Sequence, residues 1–272
     1  MTTEAVFIDA LGTMLWLEPP WERIDPEAVE GIAPERVKDA FIAEIAYYMP
    51  RSGEGRDAES LADLRRRCAG VLSREMGREI EVETMVGALA FQPFEDAAPT
   101  LAALRERGLT LICVSNWDCS LGNVLADLGL AESLDGVVTS AAAGARKPDA
   151  AIFAPALKLA GCEPEQAIHV GDTADDVTAA QAAGIEPLLI NRSAAVTPSA
   201  AAAAEQRLRG RPTGGPGEAG PSSAAAAAEQ RLRGRPTGGP GEAGPSSAAA
   251  AAEQRLRGEI ASLAEIVEHL RP

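Results

Sequence analysis

Histidine is nearly missing from this chain. There are 2, His169 and His269, so chemistry built on an imidazole base has almost no material to work with. His169 lies inside an apolar run and reads as a core residue, and His269 sits near the C-terminus. Cysteine is also sparse: Cys68, Cys113, Cys119 and Cys162 include no pair at metal-ligand spacing, which leaves no zinc site legible in the sequence. Cys113 falls in a run that reads as a buried strand, and the set as a whole fits reduced thiols in the cytoplasm. No apolar run approaches the ~18 residues of a membrane span. The opening Met-Thr-Thr-Glu has neither a basic region nor an apolar stretch, so no signal peptide is expected. Basic residues are outnumbered, with 25 Lys and Arg against 40 Asp and Glu for a net charge of −15. Such a body repels phosphate backbones, which excludes a nucleic-acid partner and favours solubility.

Residues 199–258 lack the apolar content of a core. A 24-residue unit beginning at Ser199 repeats without change from Ser223 and starts again at Ser247. Each copy holds a single leucine (Leu208, Leu232, Leu256), so stacked copies could not bury a continuous face and a solenoid is not expected. Its Gly-Pro-rich half reads as a disordered, low-complexity linker, inserted where extra loop length costs little closure entropy. Because the insertion carries more Arg than Glu, the rest of the chain is more acidic than the whole. After it, Ile260, Leu263, Ile266, Val267 and Leu270 predict an amphipathic helix docking on the sheet as the last element.

Four segments carry the chemistry. Val6-Phe7-Ile8-Asp9-Ala10-Leu11-Gly12-Thr13 reads as a short buried strand ended by a glycine turn, which presents Asp9 at the carboxyl end, where open α/β sheets bind ligands. The run Leu109–Val114 leads into Ser115-Asn116; a loop holds Arg146-Lys147-Pro148-Asp149; and Ala167–Val170 leads into Gly171-Asp172-Thr173-Ala174-Asp175-Asp176. Together these supply a nucleophile, hydroxyl and amide groups, a cation and acidic side chains. That is a kit for phosphoryl chemistry: a carboxylate attacking a phosphate ester needs a cation and a hard metal between two anions. A covalent aspartyl-phosphate would split one hard displacement into two easier ones. Asp175 and Asp176 also suit the first turn of a helix.

The order and spacing of these segments resemble the haloacid dehalogenase-like hydrolase superfamily, in its branch with a helical cap inserted after the first motif. The resemblance covers roughly residues 5 to 192. It implies an α/β fold with a Rossmann-like three-layer core and a parallel sheet, formed by residues 1–14, 95–198 and 259–272, with an α-helical cap at 15–94. It implies that Asp9 is the nucleophile and Lys147 the catalytic cation. Thr13, Ser115 and Asn116 would bind the transferred group, and Asp9, the Leu11 backbone carbonyl, Asp172 and Asp176 would hold Mg²⁺.

Leu11 departs from the pattern. The phosphatases of the superfamily carry a second aspartate there, which protonates the leaving oxygen and activates water; loss of a general acid–base group typically costs about 10²–10⁴-fold in rate. The superfamily's dehalogenases also lack it, since halide leaves without a proton, but they work without metal and usually lack the Gly-Asp retained at Gly171-Asp172. The leading expectation is a Mg²⁺-dependent phosphatase for a small phosphorylated metabolite. The alternatives are a metal-independent 2-haloacid dehalogenase and a non-catalytic phospho-ligand-binding or regulatory protein. Within the cap segment, apolar spacing predicts helices over Pro34–Tyr48 and Ala58–Met76. Glu44, Tyr47, Tyr48, Arg51, Arg56 and Asp57 are its polar candidates for facing a substrate.

Overall fold

The computed structural model describes residues 2–192 and 258–270. Of the repeat insertion expected at 199–258, all but Gly258 lies outside these residues.

Strand β1, Ala5–Ile8, has four apolar side chains and is fully buried. It sits between β4, Thr110–Ser115, and β6, Ala167–Gly171, pairing in parallel with both. Strands covered on both faces read as continuous apolar runs. With β5 (Gly136–Thr139), β7 (Glu186–Ile190) and β8 (Glu259–Ile260) they make a six-stranded parallel sheet of order β5-β4-β1-β6-β7-β8. The side-chain period of two sorts the core. Val6, Ile8, Leu111, Cys113, Ile168 and Val170 point to one cluster, while Ala5, Phe7, Ile112, Val114 and Ala167 point to the other.

Helices cover both faces. On the first, α4 (Ala97–Glu106), α5 (Leu121–Asp127) and α9 (Ala264–His269) pack with Leu101, Leu121 and Ile266. On the second, α7 (Phe153–Ala160) and α8 (Ala174–Ala182) pack with Phe153, Ala156 and Ala179. Helix α6, Ser140–Ala143, is a single turn after β5. This three-layer arrangement agrees with the fold expected from the sequence. One element differs: Ile260 does not begin the last helix but joins the sheet edge as β8, leaving Ala264–His269 helical. Its backbone finds ladder partners there, with Asn191 N donating to Ile260 O at 2.7 Å.

Between β2 (Leu15–Leu17) and β3 (Phe91–Pro93) the chain leaves and returns through a two-stranded antiparallel ribbon. Helices α1 (Pro34–Tyr48) and α2 (Ala58–Met76) occupy this segment, with the bounds their apolar spacing predicts, and a short α3 (Val82–Gly87) follows. Helix α2 starts because Asp57 and Ser60 form a capping box, and stops at Gly77, whose φ of 71° terminates the last turn. The pair bury their own cluster, including Val37, Phe41, Leu64 and Leu72.

Candidate active site

The parallel register brings the carboxyl ends of β1, β4 and β6 side by side, so Asp9, Ser115 and the Gly171-Asp172 turn converge although they are far apart in sequence. Asp9 prolongs β1 by donating its N–H to Val170 O at 2.9 Å. Beyond it the chain folds over the Ala10 carbonyl, which accepts from Thr13, Met14 and Leu15. Gly12 makes that turn with φ of +86°, and a side-chain carbon built there would overlap the Asp172 carboxylate. Only glycine allows both the left-handed backbone and that close approach.

Lys147 is the hub. Its Nζ, 2% exposed as a residue, donates to Asp9 Oδ1 at 2.6 Å, Asp176 Oδ1 at 2.5 Å and Val114 O at 2.9 Å. Burial alone would lower its pKa, but Asp176 and Asp9 win and hold it above the usual lysine value. Burial likewise works to raise Asp176, yet Lys147 and His169 keep its carboxyl well below the ordinary range. The backbone of Lys147 is fixed by Asn116, whose Oδ1 accepts from Lys147 N at 2.8 Å and whose Nδ2 donates to Lys147 O at 3.0 Å. The Asn116 amide, expected at the substrate, thus also positions the lysine.

Asp176 is engaged through both oxygens. Oδ1 takes Lys147 and, at 3.0 Å, His169 Nε2, while Oδ2 accepts from the Thr173 N–H and hydroxyl in the capping box that starts α8. It therefore begins a helix and pairs with Lys147 at once. A side-chain carbon at Gly171 would overlap its carboxyl group. His169 is buried edge-on to Phe153, with centroids 4.8 Å apart, and burial lowers its pKa. It is a core residue, as expected, that also orients an acid of the site.

Three features of the cluster fit a divalent cation. Ligand atoms of Asp9, Asp172 and Asp176 lie within 4.8 Å of one another. Three carboxylates converge here, and like charges held this close disfavour joint ionisation unless a cation intervenes. The third is that Asp9 Oδ2 is buried without a hydrogen-bond partner. Thr13 Oγ1 is in the same condition, and Ser115 is buried at the end of β4. All eight site residues read from the sequence therefore gather at one end of the sheet.

Sequence reasoning missed Arg192. Its guanidinium donates to Asp96 Oδ1 and Oδ2 at 2.8 and 2.7 Å and to Thr13 O, and lies 4.0 Å over the Phe94 ring. Asp96 also accepts from Leu263 N at 2.8 Å, so one pair ties the Asp9 turn to α4 and the C-terminal segment. The repeat insertion hid this link, because it separates Arg192 from Leu263 in the chain.

Beside the cluster a cavity of about 360 Å³ opens between α1–α3 and the core, lined by Leu11, Leu17, Tyr48, Met85, Phe91 and Trp117 among others. Of the six polar residues considered from the sequence, Glu44 and Tyr48 line it. Tyr48 Oη donates to Asp118 Oδ2 at 2.8 Å across the two segments. Arg51 stacks 4.0 Å from the Tyr47 ring centroid, and Asp57 serves as the cap of α2.

A family model described as haloacid dehalogenase-like hydrolase matches residues 3–184. The chain belongs to the haloacid dehalogenase-like hydrolases. Within this family it is 43% identical over 109 residues to mouse haloacid dehalogenase-like hydrolase domain-containing protein 3, an alignment covering 40% of this chain and 43% of that protein. It is 31% identical over 138 residues to a glyceraldehyde 3-phosphate phosphatase of Methanopyrus kandleri, covering 45% of this chain and 57% of that one. The chain thus matches only about half the length of these relatives. Among solved structures, an L-2-haloacid dehalogenase from Xanthobacter autotrophicus superposes with a TM-score of 0.61 at 21% identity, covering 99% of both chains, a likeness of fold. Among the described residues no helix is long and apolar enough to cross a membrane.

Proposed function

We propose that the protein is a Mg²⁺-dependent phosphatase acting on a small phosphorylated metabolite through an aspartyl-phosphate on Asp9. The observation that carries this reading is the state of Asp9: one oxygen is held at 2.6 Å by a buried lysine while the other is buried without a partner. In this reading Asp9 Oδ2 attacks phosphorus, the ester P–O bond breaks, and the alcohol oxygen departs with the electron pair. Thr13 and Ser115 bind the non-bridging oxygens, and Lys147 neutralises charge on the nucleophile and the phosphoryl group. Asp9, the Leu11 carbonyl and Asp172 would hold the metal, with Asp176 closing the acidic set. Bound there, Mg²⁺ would shield the two anions from each other as they approach. Water then cleaves the acyl-phosphate and restores Asp9. The phosphatase relative supports this chemistry. Residues 15–94 act as a cap that excludes water, and the four free thiols suit a reducing compartment, the cytoplasm.

Leu11 cannot move a proton, so the reading also implies preference for alcohols that leave without one. Hydrolysis of para-nitrophenyl phosphate tests it, with wild type and Asp9→Asn, each with Mg²⁺ and with chelator. Turnover lost on either change supports the reading. Turnover indifferent to both refutes it, and an inert wild type that releases chloride from a 2-haloacid replaces it with dehalogenation.

A further inference from the structure

Glu44 sits where the pattern of α1 asks for an apolar side chain. Val37, Ala40 and Phe41 mark the buried stripe of this helix, and position 44 continues it by one turn. The residue is 5% exposed. Facing it, the stripe of α2 carries Leu64, Cys68 and Leu72, and the Cys68 thiol works against the effect of burial on its carboxyl. No lysine or arginine of the described residues acts on it, and burial pushes its pKa up to about 7. A leucine at this position would pack without penalty, whereas a buried carboxyl lacking a cation destabilises the fold. Residues that break the local rule in this way mark function.

The chemistry derived for Asp9 leaves Glu44 unused, yet Glu44 borders a space that reaches the neighbourhood of Asp9. Glu44 and Cys68 line the cavity that Leu11 and Asn116 also line; Leu11 follows Asp9 by two residues and Asn116 bonds the Lys147 backbone. A phosphate ester held at Asp9 has this cavity beside it for its alcohol part. The wall is largely hydrocarbon and aromatic, which suits an apolar body. Its charged lining is Glu44, Asp118, Asp127 and Asp175 against Arg65 and Arg146, a surplus of acid. An anionic alcohol part is disfavoured there, while an ammonium group would give Glu44 the charge-assisted hydrogen bond it lacks.

We infer that Glu44 is a specificity-determining residue which, with Cys68, recognises an ammonium group, so that the substrates are phosphate monoesters of apolar amino alcohols. The inference rests on the phosphatase reading for its reaction but not for its binding step. The probes are three esters of one shape: meta-(aminomethyl)phenyl, meta-(hydroxymethyl)phenyl and meta-methylphenyl phosphate. Wild type should favour the amine over the methyl ester by about tenfold or more in kcat/KM, the size of one hydrogen bond to a charged group. In Glu44→Gln that ratio should fall close to one. Equal rates for the two esters in wild type overturn the inference, and so does an amine advantage that survives in Glu44→Gln. Calorimetry of wild type with the two phenols, meta-(aminomethyl)phenol and meta-cresol, needs no turnover. Tighter binding of the amine with every ester inert would sink the phosphatase reading and keep the recognition. Equal binding of both phenols would sink the recognition whatever the esters do.

Discussion

The two ends of the proposed site are built on opposite plans. Around Lys147 the contacts are polar and tightly wired: two carboxylates and a carbonyl hold one ammonium, and the Asn116 amide fixes the backbone that carries it. Around Glu44 the surroundings are apolar, and one carboxyl stands near a thiol and without a cation. Both carboxyl groups are buried, yet Asp176 is driven down and Glu44 up in pKa, because one has a cation and the other does not. Burial alone therefore says nothing about protonation; the partner decides it. A wired end suits an unvarying phosphoryl group, and an apolar end with one acid that has no cation suits a variable alcohol.

The largest effect is expected at the hub. Lys147→Ala leaves Asp9 and Asp176 buried as uncompensated like charges, and the expected loss of stability is about 3–5 kcal/mol in urea unfolding. Turnover should fall by about 10²–10³ as well, since a charge-stabilising donor is removed. An unchanged unfolding midpoint would contradict the hub role.

Leu11 lies on the border of the two ends. Leu11→Asp is expected to raise kcat for alkyl phosphates by about 10²–10⁴, the usual contribution of a general acid–base. The gain for para-nitrophenyl phosphate should be smaller, because that leaving group needs little protonation. An equal gain on both substrates would show that proton transfer is not what position 11 lacks.

Glu44 sharpens the contrast through pH. Its folded pKa of about 7 lies above the ordinary 4.5, so between these values the folded state holds a proton that the unfolded state has lost. Stability must then fall as pH rises through this window, with the penalty complete above it. Glu44→Gln is accordingly expected to exceed wild type in stability at pH 8, by up to about 3 kcal/mol. The difference should close as pH drops toward 4.5. A constant difference across the series would contradict the assignment.

The smallest effect belongs far from both ends. Leu189 N donates to Gly258 O at 2.8 Å and Asn191 N to Ile260 O at 2.7 Å, so the chain on either side of the insertion already meets within the sheet. Deleting residues 199–246 is expected to change unfolding free energy by less than about 1 kcal/mol, because closure entropy depends weakly on loop length. A large drop in melting temperature would give the repeats a structural role.

Much of this was legible in the chain. Helices α1 and α2 follow from apolar residues three and four apart, and the strands from apolar runs ending in Asp9, Ser115 and Gly171, because periodicity and turn residues are local properties. The short β8 was not legible: Glu259-Ile260 resembles the start of a helix, and only the neighbouring β7 supplies partners for its backbone. Nor was the double duty of Asp176 legible, since it joins a helix cap to a lysine 29 residues away.

By itself the sequence determined which residues could take part: a strand-end aspartate, a lysine, an acidic pair, and a leucine where a proton donor is otherwise expected. Tertiary structure alone decided what each could do. It assigned Asn116 to the Lys147 backbone, coupled Asp176 to Lys147, and placed Glu44 in an apolar wall without a cation. The physical reason is that residue type and spacing are written along the chain. Protonation, orientation and pairing instead depend on which distant groups the sheet order brings within hydrogen-bond reach.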